Sequence, residues 1–256
     1  MMNISFFEEF PSRQNLEKLT LVSWPSKLYL AARSLREFTA VVGRIKRKNI
    51  RTFIYWPVLE RKEGYWISPF SQRKALKRIF RELGGRRIPV MLDLELPTTQ
   101  NPLLYLTQAF SFIANKRLIR QFIQNYRGAI YLAEYYPEGK WKERMLQFLG
   151  LHYPSFPRAS PSVKIIKMLY HSLHPFKEEF VKQELKRGRS EHQKNFLVAY
   201  GTMGTGIQRT EPNITFEQLA RDLQLAQQAG IGEVIIYRLG GLQTRYATCL
   251  QKFSRK

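Results

Sequence analysis

Cysteine, histidine and acidic residues are all scarce in this chain. One Cys, four His and 20 Asp and Glu stand against 42 Lys and Arg in 256 residues. A lone Cys249 excludes an intrachain disulfide and fits a reducing compartment, so the expected location is cytoplasmic. No run of about 18 apolar residues exists, which leaves no segment expected to span a bilayer. The amino-terminal MMNISFFEEF carries two acids and no basic stretch, so it does not read as a secretory signal. HExxH, GxSxG and GxxxxGK[ST] are all missing, and the first strand has no HxH. These absences exclude the zincin site, the nucleophile elbow and the P-loop as such motifs are written. No metal or other cofactor is expected. Nor is there a long Pro-, Gly- or Ser-rich linker, so residues 1–256 are expected to form one domain. The least regular stretch, HYPSFPRASPS (152–162), reads as a loop.

What is abundant is apolar and aromatic surface, 44% and 13% of residues, enough for one large core. It is arranged as an alternation. Strand-like segments fall at 3–10, 27–32, 52–57, 88–96, 129–136, 163–169, 195–200 and 233–239. Helix-period stretches lie near 35–48, 72–83, 103–125, 140–149, 177–187, 216–229 and 246–253. Strand and helix alternating through one mid-sized domain specify a parallel sheet covered by helices. Eight such units in about 250 residues give an α/β fold, a single (β/α)₈ barrel of the TIM type. Chemistry on such a barrel is sought at the carboxyl ends of the strands.

The formal charge of +22 is concentrated in RIKRKNIR (44–51), RKALKRIFRELGGRR (73–87), NKRLIR (115–120) and KQELKRGR (182–189). Most of these runs lie on helices or their ends, which places them outside a barrel. They read either as a solvated outer face or as a surface that attracts polyanions, whether nucleic acid or an anionic membrane.

Side chains two apart share one face of a strand. In RIPVMLDLELP, Asp93 and Glu95 therefore point together, opposite Leu92, Leu94 and Leu96, which suit a helix-facing surface. Two adjacent buried acids are costly unless paired. They are either a buried salt bridge, with Arg33 or Arg238, or a functional pair. The fifth strand places Glu134 near its end beside Tyr135 and Tyr136. The first ends in FFEEF, with Glu8 or Glu9 pointing inward. Other strand ends carry Tyr55 and Trp56, Tyr170 and His171, and Tyr237 and Arg238. Carboxylates ringed by aromatics suit glycosidic bond cleavage, in which one acid protonates the leaving oxygen and a second carboxylate attacks or activates water. The catalytic candidates are Glu95, Asp93 and Glu134. Glu8, Tyr55, Trp56, Tyr136, Tyr170, His171, Tyr237 and Arg238 are candidates for holding a carbohydrate.

The run LDLE (92–95) resembles the end of the Asp-x-Glu signature of chitinase-like, family 18 glycosidases, and MLYH (168–171) is similar to that family's Met-x-Tyr-Asp. The resemblance implies a glycoside hydrolase in which Glu95 is the general acid and Asp93 orients the substrate's acetamido group. Tyr170 would then hydrogen-bond the acetamido carbonyl. RRIPVM stands where the family carries further aspartates and glycines, His171 replaces an acid, and no tryptophan marks the eighth strand.

A second candidate site lies in YGTMGTGIQR (200–209) and RLGGLQTR (238–245). Barrels often bind phosphate through the loops after strands seven and eight. Backbone N–H groups at Gly204, Gly206, Gly240 and Gly241, with Arg209, Arg238 or Arg245 adding charge, would hold an anionic ligand. Alternatively these glycines permit tight turns. Three functions follow: a glycoside hydrolase, a binder or enzyme for a phosphorylated or otherwise anionic small molecule, and a non-catalytic barrel with a basic exterior.

Overall fold

A computed structural model describes residues 1–97, 110–136, 139–153, 163–207 and 209–254. Eight strands form a closed, all-parallel barrel in sequence order: β1 (Asn3–Glu8), β2 (Ser26–Ala32), β3 (Ile50–Pro57), β4 (Val90–Asp93), β5 (Ile130–Glu134), β6 (Val163–Met168), β7 (Phe196–Gly201) and β8 (Glu233–Tyr237). The α-helices among the described residues are α1 (Arg13–Glu17), α2 (Leu35–Arg44), α3 (Arg73–Leu83), α4 (Phe112–Asn125), α5 (Lys140–Leu149), α6 (Glu178–His192), α7 (Phe216–Gln228) and α8 (Thr244–Phe253). The fold is thus the (β/α)₈ barrel that the alternation specifies. No helix among the described residues is long and apolar enough to cross a membrane.

The chain packs as two compact units. The first comprises Met1–Ala31, Ala40–Ile54 and Ile166–Lys256. Within it β1 lies between β2 and β8, with Phe6 beside both Leu28 and Ile236 in register. These residues are fully buried, as are Ile4, Leu30, Val198 and Val234. A polar plug closes the amino ends of these strands. There the Glu233 carboxylate meets Lys27 Nζ at 2.5 Å and accepts from Ser5 Oγ at 2.8 Å and Tyr29 Oη at 3.3 Å. A buried acid with this many donors is tolerated because its lost hydration is replaced.

The second unit comprises Ala32–Thr39 and Tyr55–Ile165. Here β4 and β5 pair from Val90↔Ile130 to Asp93↔Ala133. Helix α3 shows how a strongly basic sequence still builds a core. Ala75, Leu76, Ile79, Phe80 and Leu83 share one buried stripe, each large side chain contributing roughly 1.5–3 kcal/mol. Lys74, Lys77, Arg78 and Arg81 occupy the exposed face.

Four differences from the sequence reading are local. Helix α1 and the 3-10 turn that continues it (Lys18–Leu21) are too short to show helical periodicity; their only signal is Ser12, whose side chain caps Asn15 N. The fourth strand ends at Asp93 rather than at residue 96, so the strict alternation argument stops short of Glu95. Helix α6 runs past residue 187 to His192, and Gly188 within it lies buried close against the Phe196 ring. Tyr55, expected among the substrate-binding residues, packs instead on Phe38 of α2, with ring centroids 5.1 Å apart. The start of the 103–125 helix and most of the 152–162 loop lie outside the described residues.

Candidate functional site

The second unit carries the Asp-x-Glu run. Asp93, the last residue of β4, is buried, and its carbonyl accepts from Ile67 N at 3.1 Å. That bond ties the Trp66–Ile67 turn over the end of the strand. Trp66 stacks face to face on Trp56 from the end of β3, 5.9 Å away and 5° from parallel. Both tryptophans are buried, so they form a rigid floor rather than an open platform. Two residues beyond Asp93, Glu95 is half-exposed, and its Oε2 accepts the Tyr135 hydroxyl at 3.0 Å. Tyr136 is also half-exposed.

Glu134 is placed differently. It is fully buried at the end of β5. One carboxylate oxygen accepts from Tyr153 N at 3.0 Å, and the other lies 2.8 Å from His152 Nδ1. His152 Nε2 in turn lies 3.5 Å from Glu143 of α5. Burial, together with the charge on Glu134, pushes the Tyr153 hydroxyl well above the ordinary tyrosine range. Glu134 and Glu95 thus belong to the ends of neighbouring strands, Glu134 against His152 and Tyr153 and Glu95 against the Tyr135 hydroxyl. His152 gave no sequence signal beyond its place in an irregular loop.

The first unit gathers a second set of acids. Glu8, at the end of β1, is fully buried. It accepts from the N–H groups of Phe10 (2.7 Å) and Gly240 (2.6 Å), from Asn15 Nδ2 (3.3 Å) and from Arg238 Nη1 (3.1 Å). Burial raises its carboxyl pKa to about 7, against the opposing pull of the Arg238 guanidinium and of the Phe10 and Gly240 amides. Arg238 also donates from Nε to the Thr205 carbonyl at 2.8 Å and lies 4.9 Å over the Phe10 ring. The next residue, Glu9, is buried and accepts a short hydrogen bond from the Tyr237 hydroxyl. Burial first, then the Glu9 charge, pushes that hydroxyl well above the ordinary range. Both Glu8 and Glu9 are thus enclosed, where alternation placed one of them outside.

The glycine-rich loops close on this set. Gly241 packs against the Met203 carbonyl and Gly204, while Gly240 abuts Asn15 and Arg238. A side chain at Gly206 would collide with the Tyr237 hydroxyl and start 3.1 Å from the Glu9 carboxylate and 2.9 Å from that of Glu211. Hence the Gly240 amide and Arg238, expected to hold an external anion, hold the chain's own Glu8. Arg209 is exposed with a φ of 63°. Glu211, in a loop with no recognisable pattern, was not foreseen.

Tyr170 is half-exposed and packs on Tyr237 at 5.8 Å. His171 is turned away into a structural bond, with Nδ1 2.9 Å from Asp222 and Nε2 3.3 Å from the Phe176 carbonyl. Its side chain supports α7 rather than facing a ligand. Among the described residues no group of three or more His, Cys, Asp and Glu is arranged to hold a metal ion.

No protein-family model matches the chain, and no curated protein sequence does. Solved structures do. The glycoside hydrolase domain of PgaB (BpsB) from Bordetella bronchiseptica superposes with a TM-score of 0.60 at 12% identity, over 100% of this chain and 99% of that one. A class V chitinase from Pseudomonas fluorescens gives 0.59 at 10% identity, over 99% of each chain. A chitinase from Chromobacterium violaceum gives 0.55 at 10%, also over 99% of each. The shared property is the barrel fold.

Proposed function

We propose that the chain is a single barrel domain that hydrolyses a glycosidic bond, with Glu95 as general acid and Asp93 as its partner. The observation that carries this reading is the contrast at the end of β4. Glu95 is half-exposed and accepts the Tyr135 hydroxyl, while Asp93 two residues earlier is buried. A general acid must reach the leaving oxygen and exchange its proton with solvent, which Glu95 can do. A buried Asp beside it fixes the local field and orients whatever the acid protonates. The Trp56–Trp66 stack gives the end of the strand a stiff base. Glu134, wholly engaged by His152 and Tyr153, supports the neighbouring strand and takes no proton in turnover.

Two of the structural neighbours are chitinases, so oligomers of N-acetylglucosamine are the first substrates to test. With them, the substrate's own acetamido group would serve as nucleophile, as the resemblance of LDLE implies, and a second free carboxylate is not required. The test is turnover of a chromogenic chito-oligosaccharide by the wild type and by Glu95→Gln. The expected result is turnover lost in the variant with an unchanged melting temperature. Retained turnover in a folded Glu95→Gln would contradict the assignment.

A further inference from the structure

The first unit contains a cavity of about 500 Å³ between α1, its 3-10 continuation and the carboxyl end of α2. Its size lies within the range of ligand sites, about 300–1,000 Å³. Its apolar walls come from Pro11, Leu16, Leu19, Val41 and Ile45. Leu19 and Val41 are buried, and Leu16 and Ile45 are half-buried. The rim is basic: Arg13, Arg44, Lys46 and Arg47 face Glu17 alone. Glu17 is already paired with Arg13 at 3.1 Å. Among the described residues Arg44, Lys46 and Arg47 have no ion-pair partner. All three are exposed and belong to the RIKRKNIR run, to which the proposed chemistry at β4 gives no role.

The cavity wall is also held in place. Asn15 of α1 donates to the Phe10 carbonyl at 2.7 Å and to Glu8 at 3.3 Å, and Ser12 caps the helix. On the other side, Ile45 N bonds Val42 O at 3.0 Å and Ile50 N bonds Arg47 O at 3.2 Å, which fixes the turn that carries the cations. A site fixed before binding loses less entropy on occupation.

We infer that this cavity binds a small anionic amphiphile: an apolar chain against Leu16, Leu19, Val41 and Ile45, and a phosphate or carboxylate head on Arg44, Lys46 and Arg47. A polar sugar would leave the apolar wall unused, and a bare anion would leave it wet. An uncharged chain would make no use of the three rim cations. Only a ligand with both parts matches the lining.

The test is titration of the full chain with dodecyl phosphate below its micelle concentration, read by calorimetry. One molecule is expected to bind per chain. Affinity should fall about tenfold or more, at least ~1.4 kcal/mol, in Arg44→Gln/Arg47→Gln. Leu16→Trp, which fills the cavity without changing charge, should weaken binding as much. A control with equal charge loss elsewhere, Lys74→Gln/Lys77→Gln, should leave binding unchanged. Dodecyl glucoside and inorganic phosphate should each bind at least about tenfold more weakly. Equal weakening by the control pair, or none by Leu16→Trp, would overturn the site in favour of diffuse surface attraction. Full competition by inorganic phosphate at matched concentration would overturn the apolar half. Binding to anionic vesicles with none to the monomeric amphiphile would overturn the small-ligand claim.

Discussion

Glu8 at the end of β1 and Glu95 just past the end of β4 are both acids at a strand's carboxyl terminus, yet their surroundings are opposite. Glu8 is wholly enclosed by two backbone amides, an asparagine amide and a guanidinium. Glu95 is half-exposed, with the Tyr135 phenol donating to it. A carboxylate whose lone pairs are filled by its own chain has little left for a substrate and acts as a hub for loops. One that stays half-exposed can exchange a proton with solvent. Position on a barrel nominates an acid, and its other hydrogen bonds decide its role.

The sharpest way to separate the two is substitution at each. Glu95→Gln is expected to lower turnover of a cleaved glycoside by about 10³-fold, near the range of a lost acid catalyst, while its urea midpoint stays within experimental scatter of wild type. Breaking the enclosure of Glu8 should do the reverse. Arg238→Met leaves a buried acid without its cation, so unfolding free energy should drop by roughly 3–5 kcal/mol, measured by urea denaturation. An Arg238→Met protein as stable as wild type would mean that Glu8 is not held as described.

The pH dependence of stability gives a third handle. The Glu8 carboxyl is raised to about 7 in the folded state from 4.5, so the native protein binds the extra proton. Its favourable contribution is fully present below about pH 4.5 and is lost as pH rises through about 7. The difference across that window is worth roughly 3 kcal/mol. Denaturation midpoints collected from pH 4.5 to 7.5 should show this decline, and Glu8→Gln should flatten it. A profile identical in the variant would assign the slope to other groups. A smaller effect is expected at Gly206→Ala, which presses a methyl group on Tyr237 and the Glu9 carboxylate and should cost about 1–3 kcal/mol of stability. Smallest of all, Tyr135→Phe removes the hydroxyl that donates to Glu95. It should slow turnover by roughly tenfold, the worth of ~1.4 kcal/mol, with stability little changed.

The barrel was legible in the sequence because a strand buried on both faces reads as a continuous apolar run, as in Phe196–Gly201 and Glu233–Tyr237. Helices buried on one side read as stripes, as in α3. The acids were legible as well, since Asp93, Glu95, Glu134, Glu8 and Glu9 stand out against leucine and isoleucine. What the sequence did not disclose was their partners. His152 reaches Glu134 from 18 positions away, and Arg238 reaches Glu8 from the far end of the chain. No periodicity encodes such contacts, because tertiary packing alone brings those residues together. The glycine-rich loops misled for a related reason. Their amides do point at an anion, but that anion is a side chain of β1.

The most direct measurement is hydrolysis of a chromogenic chito-oligosaccharide by wild type, Glu95→Gln and Glu8→Gln, each first checked for a cooperative thermal transition. The expected result is turnover by wild type, about 10³-fold less by folded Glu95→Gln, and near-normal turnover per folded molecule for Glu8→Gln despite a shifted melting temperature. Turnover that survives in Glu95→Gln and disappears in folded Glu8→Gln would contradict it and move the chemistry to the end of β1.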